Sequence, residues 1–354
     1  MGNARASEDD PPVGTTIGDR WLVLRRIAVG GTADIYAARD LGDRSRAALK
    51  ILRPHLTEDP RALLRFEREY DTVRALNHPN LASVLDRGCL PDSRPWFAME
   101  LVVGPTLETL LREGPLPTQR ALAIVGQVAN ALAHAHAAGI VHRDVCPSNV
   151  VVRRGDQATL VDFGIALDRA AERITLSGMQ IGSPQWISPE AARGDPIGTA
   201  ADVYGLGCLL FAAVCGRAPF LGSPMKVLEA HVSSPPPPLV IHVAGLPDWL
   251  DELVASLLAK NPDTRPSAAH LAGILDAAAQ DLRAAEVHAM AETSTNPLQS
   301  YPVGVTQGYG LAGPLQPAEI PPSLPQEAMI YASLGGVLAV ASLGIVAGVL
   351  CSFS

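Results

Sequence analysis

Two periodicities divide the chain. Short apolar runs with strand character dominate about the first hundred positions, and stripes at helical spacing dominate most of the remainder. Trp21 to Asp40 reads as two strands about a Gly30-Gly31 turn, and Arg46–Leu52 as a third strand. From Pro60 to Leu76 the residues Leu63, Phe66, Tyr70 and Val73 form an apolar stripe on a helix, which Asn77–Pro79 ends. Leu81–Asp86 and Trp96–Val102 read as further strands, then Leu107–Arg112 and the Ala-rich Thr118–Ala138 as helices. Ile140–Val141 and Val150–Val152 are expected as short buried strands around a polar loop, which Pro147 and Ser148 keep from becoming helix. Leu160–Val161 is one more apolar strand. Residues 165–185 are polar and loop-like, and the remaining helices close near Arg283, with Pro235–Pro238 a rigid loop on the way.

Composition changes the picture mainly at the two ends. The 354 residues are 47% hydrophobic and 18% charged, which excludes a disordered chain, but residues 1–17 are small and acidic and are expected to be disordered. Arg283 is the last Lys or Arg. Residues 284–327 are expected to be a linker, since 291–327 alone hold seven prolines and four glycines. Ala328 to Cys351 then carries no charge over 24 residues. At about 1.5 Å per residue that length crosses a bilayer core, so a single membrane-spanning helix is expected, placed as a tail anchor. Its Gly344 and Gly348 form G-x-x-x-G, a helix-packing pattern compatible with a homodimer. The formal charge of −8 and the lack of any Lys/Arg run give no reason to expect nucleic-acid binding. Cysteines 89, 146, 208, 215 and 351 form no C-x-x-C pair and read as reduced thiols.

The chemistry concentrates in I-V-H-R-D-V-C-P-S-N, where Asp144 is held on a loop between apolar runs and Asn149 lies five residues on. A second carboxylate, Asp162, ends the next apolar run in L-V-D-F-G. Two carboxylates and an amide delivered from loop ends suit metal-assisted phosphoryl transfer: one orients a hydroxyl, and the other oxygens hold Mg²⁺. Lys50 stands in the apolar run R-A-A-L-K-I-L, and a buried ammonium needs a partner. Glu67 and Glu69 flank the stripe of the next helix on opposite sides, and periodicity does not choose between them.

H-R-D-x-x-x-x-N with D-F-G after it resembles the signature of the eukaryotic-like (Hanks-type) serine/threonine protein kinases of bacteria. The resemblance covers about residues 18–283. It implies an α+β, two-lobed protein-kinase-like fold, with a small β-rich N-lobe over 18–102 and a larger helical C-lobe over 103–283. It also implies ATP and Mg²⁺ as cofactors and proteins as substrates. By the same resemblance Asp144 is the base, Asn149 and Asp162 are the metal ligands, and Lys50 meets the phosphates. R-F-x-R-E selects Glu69 as its partner. Ala28, Val29, Gly30 and Gly31 belong to the loop over the phosphates, with Gly30 in the middle glycine position and Ala28 and Ala33 in the outer two. Ile35 and Ala48 belong to the nucleotide pocket, Met99 lines its back, and Glu100 and Val102 lie at the hinge.

G-S-P-Q-W-I-S-P-E resembles the end of an activation segment. Its Glu190 is expected to pair with Arg265 of N-P-D-T-R-P, while Asp202 of D-V-Y-G-L-G braces the catalytic loop. Arg143 is then a regulatory residue that pairs with a phosphate, and Thr175 or Ser177 the autophosphorylation site, with Ser183 structural. The expected protein is a kinase tethered to the cytoplasmic membrane by one span, with its catalytic domain in the cytoplasm, where ATP is. One position departs from the family. Cys146 stands two residues after Asp144, where most serine/threonine kinases have a lysine on the transferred phosphate. Losing one such stabiliser costs about 2–3 kcal/mol, roughly a hundredfold in rate. With Ala28 and Ala33, it keeps a pseudokinase or weakly active nucleotide-binding scaffold as the alternative. Cys146 is read as a small inert filler, with a redox-sensitive thiol as the alternative.

Overall fold

The structure, a computed structural model, describes residue 11 and residues 13–162 and 184–294, with side chains to 284. Its first part is an antiparallel sheet of six strands, β1 (Thr16–Ile17), β2 (Trp21–Val29), β3 (Ala33–Asp40), β4 (Arg46–Leu52), β5 (Val84–Cys89) and β6 (Pro95–Glu100). They lie in the order β1-β2-β3-β4-β6-β5. The central strand β4 is buried on both faces, which is why it reads as a continuous apolar run. Lys50 pairs with Ile35 on one side and Phe97 on the other, and Ala48 with Met99. Alternation therefore puts Ala48, Lys50 and Leu52 on the face shared with Ile35, Phe97 and Met99. Leu49 and Ile51 meet Trp21, Val23, Tyr36 and Trp96 on the other.

Helix α1 (Pro60–Arg74) covers the first of these faces. Asp59 caps it by accepting from the Arg61 amide at 2.9 Å, and Pro60 sits in the first turn, where its missing N–H costs nothing. It buries Phe66, Glu69, Tyr70 and Val73, with Phe66 stacked at a tilt 5.1 Å from Phe97.

The second part is helical around α5 (Thr199–Cys215), which is apolar all round and buried through most of its length. Around it lie α2 (Leu107–Glu113), α3 (Thr118–Ala137), α4 (Pro189–Arg193), α6 (Pro224–Ser233), α7 (Asp248–Leu257) and α8 (Ala268–Ser294). A hairpin of β7 (Val150–Arg153) and β8 (Gln157–Leu160) lies below the sheet. The two-lobed arrangement expected from the motifs is present.

Local differences have local causes. Ile140–Val141 forms no strand: the chain turns back on the end of α3, and the Ile140 amide donates to Ala135 O at 2.9 Å. Leu81 makes only an isolated bridge to Leu160, so the strand expected from Leu81 begins at Val84. Helix α8 runs past Arg283 to Ser294. Among the described residues no helix is long and apolar enough to cross a membrane. The segment 328–351 lies outside them, as do most of the linker and residues 163–183, which include Thr175, Ser177 and Ser183.

Candidate active site

The site is assembled from β4, α1, the loop after α3 and the end of β8. Lys50 is buried on β4 and forms an ion pair with Glu69 of α1 and a second, at 3.3 Å, with Asp162 Oδ1. Burial alone lowers an ammonium's pKa, but Asp162 and Glu69 outweigh it, and the net direction is up: Lys50 stays charged. The same burial pushes the Glu69 carboxyl up while Lys50 pulls it down. Glu67 is exposed, so the choice that periodicity left open falls on Glu69.

The catalytic loop is pinned from beneath. Asp202, buried in α5, accepts from the His142 amide at 2.8 Å and from the Arg143 amide at 2.7 Å, and it bonds His136 Nε2 at 2.8 Å. These bonds hold Arg143 in a left-handed conformation (φ 68°). Helix α5 approaches so closely that a Cβ on Gly205 would lie 2.7 Å from Val145 Cβ. His136 carries no motif, and sequence reasoning missed it.

Above this support, the Asn149 amide nitrogen donates to Asp144 O and to Asp144 Oδ2, each at 2.8 Å. Burial pushes the Asp144 carboxyl up against the opposing pull of His142 and Asn149, with Asp162 adding to the rise. The Val161 amide donates to Asn149 O at 2.9 Å, which locks the loop to the residue before Asp162. Asp162 itself is left-handed (φ 57°), a conformation that turns its carboxylate back toward Lys50. Two oxygens then stand out. Asn149 Oδ1 and Asp162 Oδ2 are buried and have no hydrogen-bond partner among the described residues. Orphaned buried acceptors are costly, and hard oxygen donors of this kind are what a magnesium ion takes. The residues present therefore fit Mg²⁺.

Ala28, Ile35, Ala48, Met99 and Leu101 share one apolar cluster with Ile27, on the sheet side of the cleft. Val102, Ala82, Val151 and Val161 form a smaller cluster on the other side. Ile27, Leu101, Val151 and Val161 were not singled out from sequence, because they are ordinary members of apolar runs. Glu100 spends its side chain on Arg153, at 2.6 Å, and so offers only backbone to the cleft. The segment linking the lobes is pressed onto β7 at Gly104, where a Cβ would collide with Val152 O. At the turn over the cleft Val29 is exposed, and space at Gly31 is open.

Cys146 is buried, with its Sγ 3.2 Å from Ser148 Oγ. Burial pushes the thiol well up, and Asp144 pushes the same way. Redox-sensitive thiols are exposed and acidic, and Cys146 has neither property, which favours the filler reading. Glu190 on α4 and Arg265 form a bidentate pair at 2.6 and 2.8 Å, and Arg265 also stacks 4.9 Å from the Tyr204 ring centre. Burial works to raise the Glu190 carboxyl, and Arg265 holds it below the usual range.

The protein kinase domain family matches residues 21–273. Serine/threonine-protein kinase PknB of Mycobacterium leprae (strain TN) is 38% identical over 255 residues, which are 70% of this chain and 41% of that protein. Serine/threonine-protein kinase PknA of Mycobacterium tuberculosis (strain ATCC 25177 / H37Ra) is 40% identical over 261 residues, 72% of this chain and 60% of that protein. The chain thus spans less than two thirds of the length of these curated relatives. The crystal structure of the Mycobacterium tuberculosis PknI kinase domain superposes with a TM-score of 0.59 at 29% identity, covering 75% of this chain and 99% of that one. A buried Lys50–Glu69 pair, a loop pinned on Asp202, and orphaned oxygens on Asn149 and Asp162 agree with this match across 21–273, and the chain belongs to the protein kinase domain family.

Proposed function

We propose that this protein is a serine/threonine protein kinase that transfers the γ-phosphoryl group of ATP to protein hydroxyls, itself included. The observation that carries this reading is the pair of orphaned oxygens, Asn149 Oδ1 and Asp162 Oδ2, set between the Lys50 ammonium and Asp144. Asn149 and Asp162 would hold magnesium, which when bound neutralises phosphate charge. Lys50, kept cationic by Asp162 and Glu69, binds phosphate oxygens. The adenine lies between the Ile27, Ile35, Ala48 cluster and the Val102, Val151 cluster, with the backbone of Glu100 and Val102 at its edge and Met99 behind.

Asp144 orients the substrate hydroxyl and accepts its proton as the oxygen–phosphorus bond forms and the bond to ADP breaks. Asn149 keeps the Asp144 carboxylate turned toward the cleft. Cys146 supplies no cation, so the reaction runs slower than with a lysine there. The pseudokinase reading draws on Cys146, Ala28 and Ala33, but it leaves the base and the metal carboxylate without a use.

Arg143 serves as the partner of a phosphate placed by autophosphorylation on Thr175 or Ser177. The uncharged segment 328–351 tethers the domain, residues 18–283, to the cytoplasmic membrane as a single span, with residues 1–327 in the cytoplasm and pairing of spans through Gly344 and Gly348. The test is transfer of label from γ-labelled ATP by the full chain onto itself and onto a generic basic protein, with and without Mg²⁺. Mg²⁺-dependent labelling of serine or threonine supports the proposal. Binding of ATP with no transfer to either acceptor makes the chain a pseudokinase.

A further inference from the structure

Arg53 is the residue immediately after β4, three positions beyond Lys50. Its backbone amide donates to Thr32 O at 3.0 Å, and its Nη1 donates to Gly30 O at 3.2 Å. Its Nε lies 3.9 Å from Asp34 Oδ2, across the same turn. One residue thereby holds both arms of the β2–β3 turn to the strand that carries Lys50. Within the turn, Gly30 N donates to Ala33 O at 3.0 Å, so the carbonyl that Arg53 grips belongs to the residue that closes the turn. The outer side is unsupported: Val29 is 49% exposed, and nothing lies within 4 Å of a Cβ placed on Gly31. A turn this open has a low free energy of local opening unless something ties it down.

We infer that Arg53 is a positioning residue for nucleotide phosphates: it latches the Gly30-Gly31 turn over the cleft and so sets affinity for ATP through its β- and γ-phosphates. This rests on the kinase reading above. Arg53 touches neither the phosphates nor the reacting atoms. It fixes the distance between the turn and Lys50, the two parts of the sheet that the kinase reading sets on the phosphates. A guanidinium suits the task because its fork reaches a carbonyl and a carboxylate together, where a lysine offers a single point of charge. The alanines at 28 and 33 make such a latch more useful, because they leave the turn fewer backbone conformations with which to settle on a ligand.

The test is calorimetric binding of Mg·ATP and of adenosine to the full chain, wild type and Arg53→Ala, with thermal unfolding of both. A latch on the phosphate-covering turn predicts that Arg53→Ala weakens Mg·ATP binding about fivefold or more while adenosine binding stays within about twofold. Equal weakening of both ligands marks Arg53 as a general support of the lobe and overturns the inference. So does unchanged binding of both. Should Arg53→Ala not accumulate folded, Arg53→Gln removes the charge at similar size and carries the same comparison. A wild-type chain that binds no Mg·ATP overturns the kinase reading along with the latch. A wild type that binds, with a variant that binds equally, overturns the latch alone.

Discussion

At the scale of single residues, activity turns on where charge is placed and where it is missing. Lys50→Met removes the cation that bridges Glu69 and Asp162 and leaves those two carboxylates facing each other in a buried setting. Phosphotransfer should fall at least a thousandfold, and circular dichroism should show the fold retained. Cys146→Lys returns the missing cation. Labelling rates from γ-labelled ATP should rise about tenfold or more if that charge is the limiting defect. An unchanged rate means another group already stabilises the transferred phosphate, and a loss means the pocket beside Ser148 accepts only a small side chain. The motif residues were legible because their chemistry demands particular side chains at a particular spacing. Glu69 was legible only by resemblance, since a periodic stripe has two edges and only burial beside Lys50 selects one. Ile27, Leu101 and Val151 were not legible at all, because an apolar residue in an apolar run looks the same whether it faces a core or a ligand.

At the scale of elements, α5 is the frame on which the catalytic loop is hung, and its close approach is testable. Gly205→Ala sets a methyl 2.7 Å from Val145 Cβ and 3.0 Å from Val145 O, contacts that force the loop or the helix to move. Denaturant unfolding should show a loss of about 1–3 kcal/mol, and activity should fall more than nucleotide binding, because Asp144 adjoins Val145. Helix α6 carries a second device. His231 is fully buried, its Nδ1 paired with Tyr204 OH at 2.8 Å and its ring edge-on to Phe220, with Lys260 against both aromatic rings. Burial, helped by the Lys260 cation, lowers its pKa from the usual 6.5 to about 4. The unfolded chain therefore binds the extra proton first. Stability from the neutral ring is complete above pH 6.5 and is lost progressively as pH falls toward 4, by up to about 3 kcal/mol. Melting temperature measured against pH should fall across that window, and His231→Gln should flatten the fall. Most helices and strands were readable from their periodicity. Ile140–Val141 misled because apolar character reports burial, and here burial comes from the chain turning back on α3 with no strand partner.

At the scale of the whole molecule, the two lobes arise from the order of periods, strands first and helices after, while their closure on one cleft rests on long-range contacts such as Lys50 with Asp162. No local pattern predicts such a contact, and only the motif order hinted at it. The proposed tether through 328–351 would have consequences beyond location. If that segment spans the membrane as proposed, the 33 residues from 295 to 327 have a root-mean-square reach of roughly 30 Å, which would keep the catalytic domain near the membrane and raise encounters between neighbouring copies. Full-length protein should stay in the membrane pellet after an alkaline wash, and Gly344→Leu with Gly348→Leu should keep it there while slowing autophosphorylation between copies. Recovery in the soluble fraction contradicts the tether.

In the proposed mechanism Asp144 acts in chemistry, while Asn149 and Asp162 act in binding the metal-bound nucleotide. Paired measurements of Mg·ATP affinity and phosphotransfer on Asp144→Asn and Asp162→Asn test it directly. The expected result is that Asp144→Asn binds Mg·ATP within about twofold of wild type and transfers no more than about a thousandth as fast, whereas Asp162→Asn loses both. Near-wild-type transfer by either variant contradicts it.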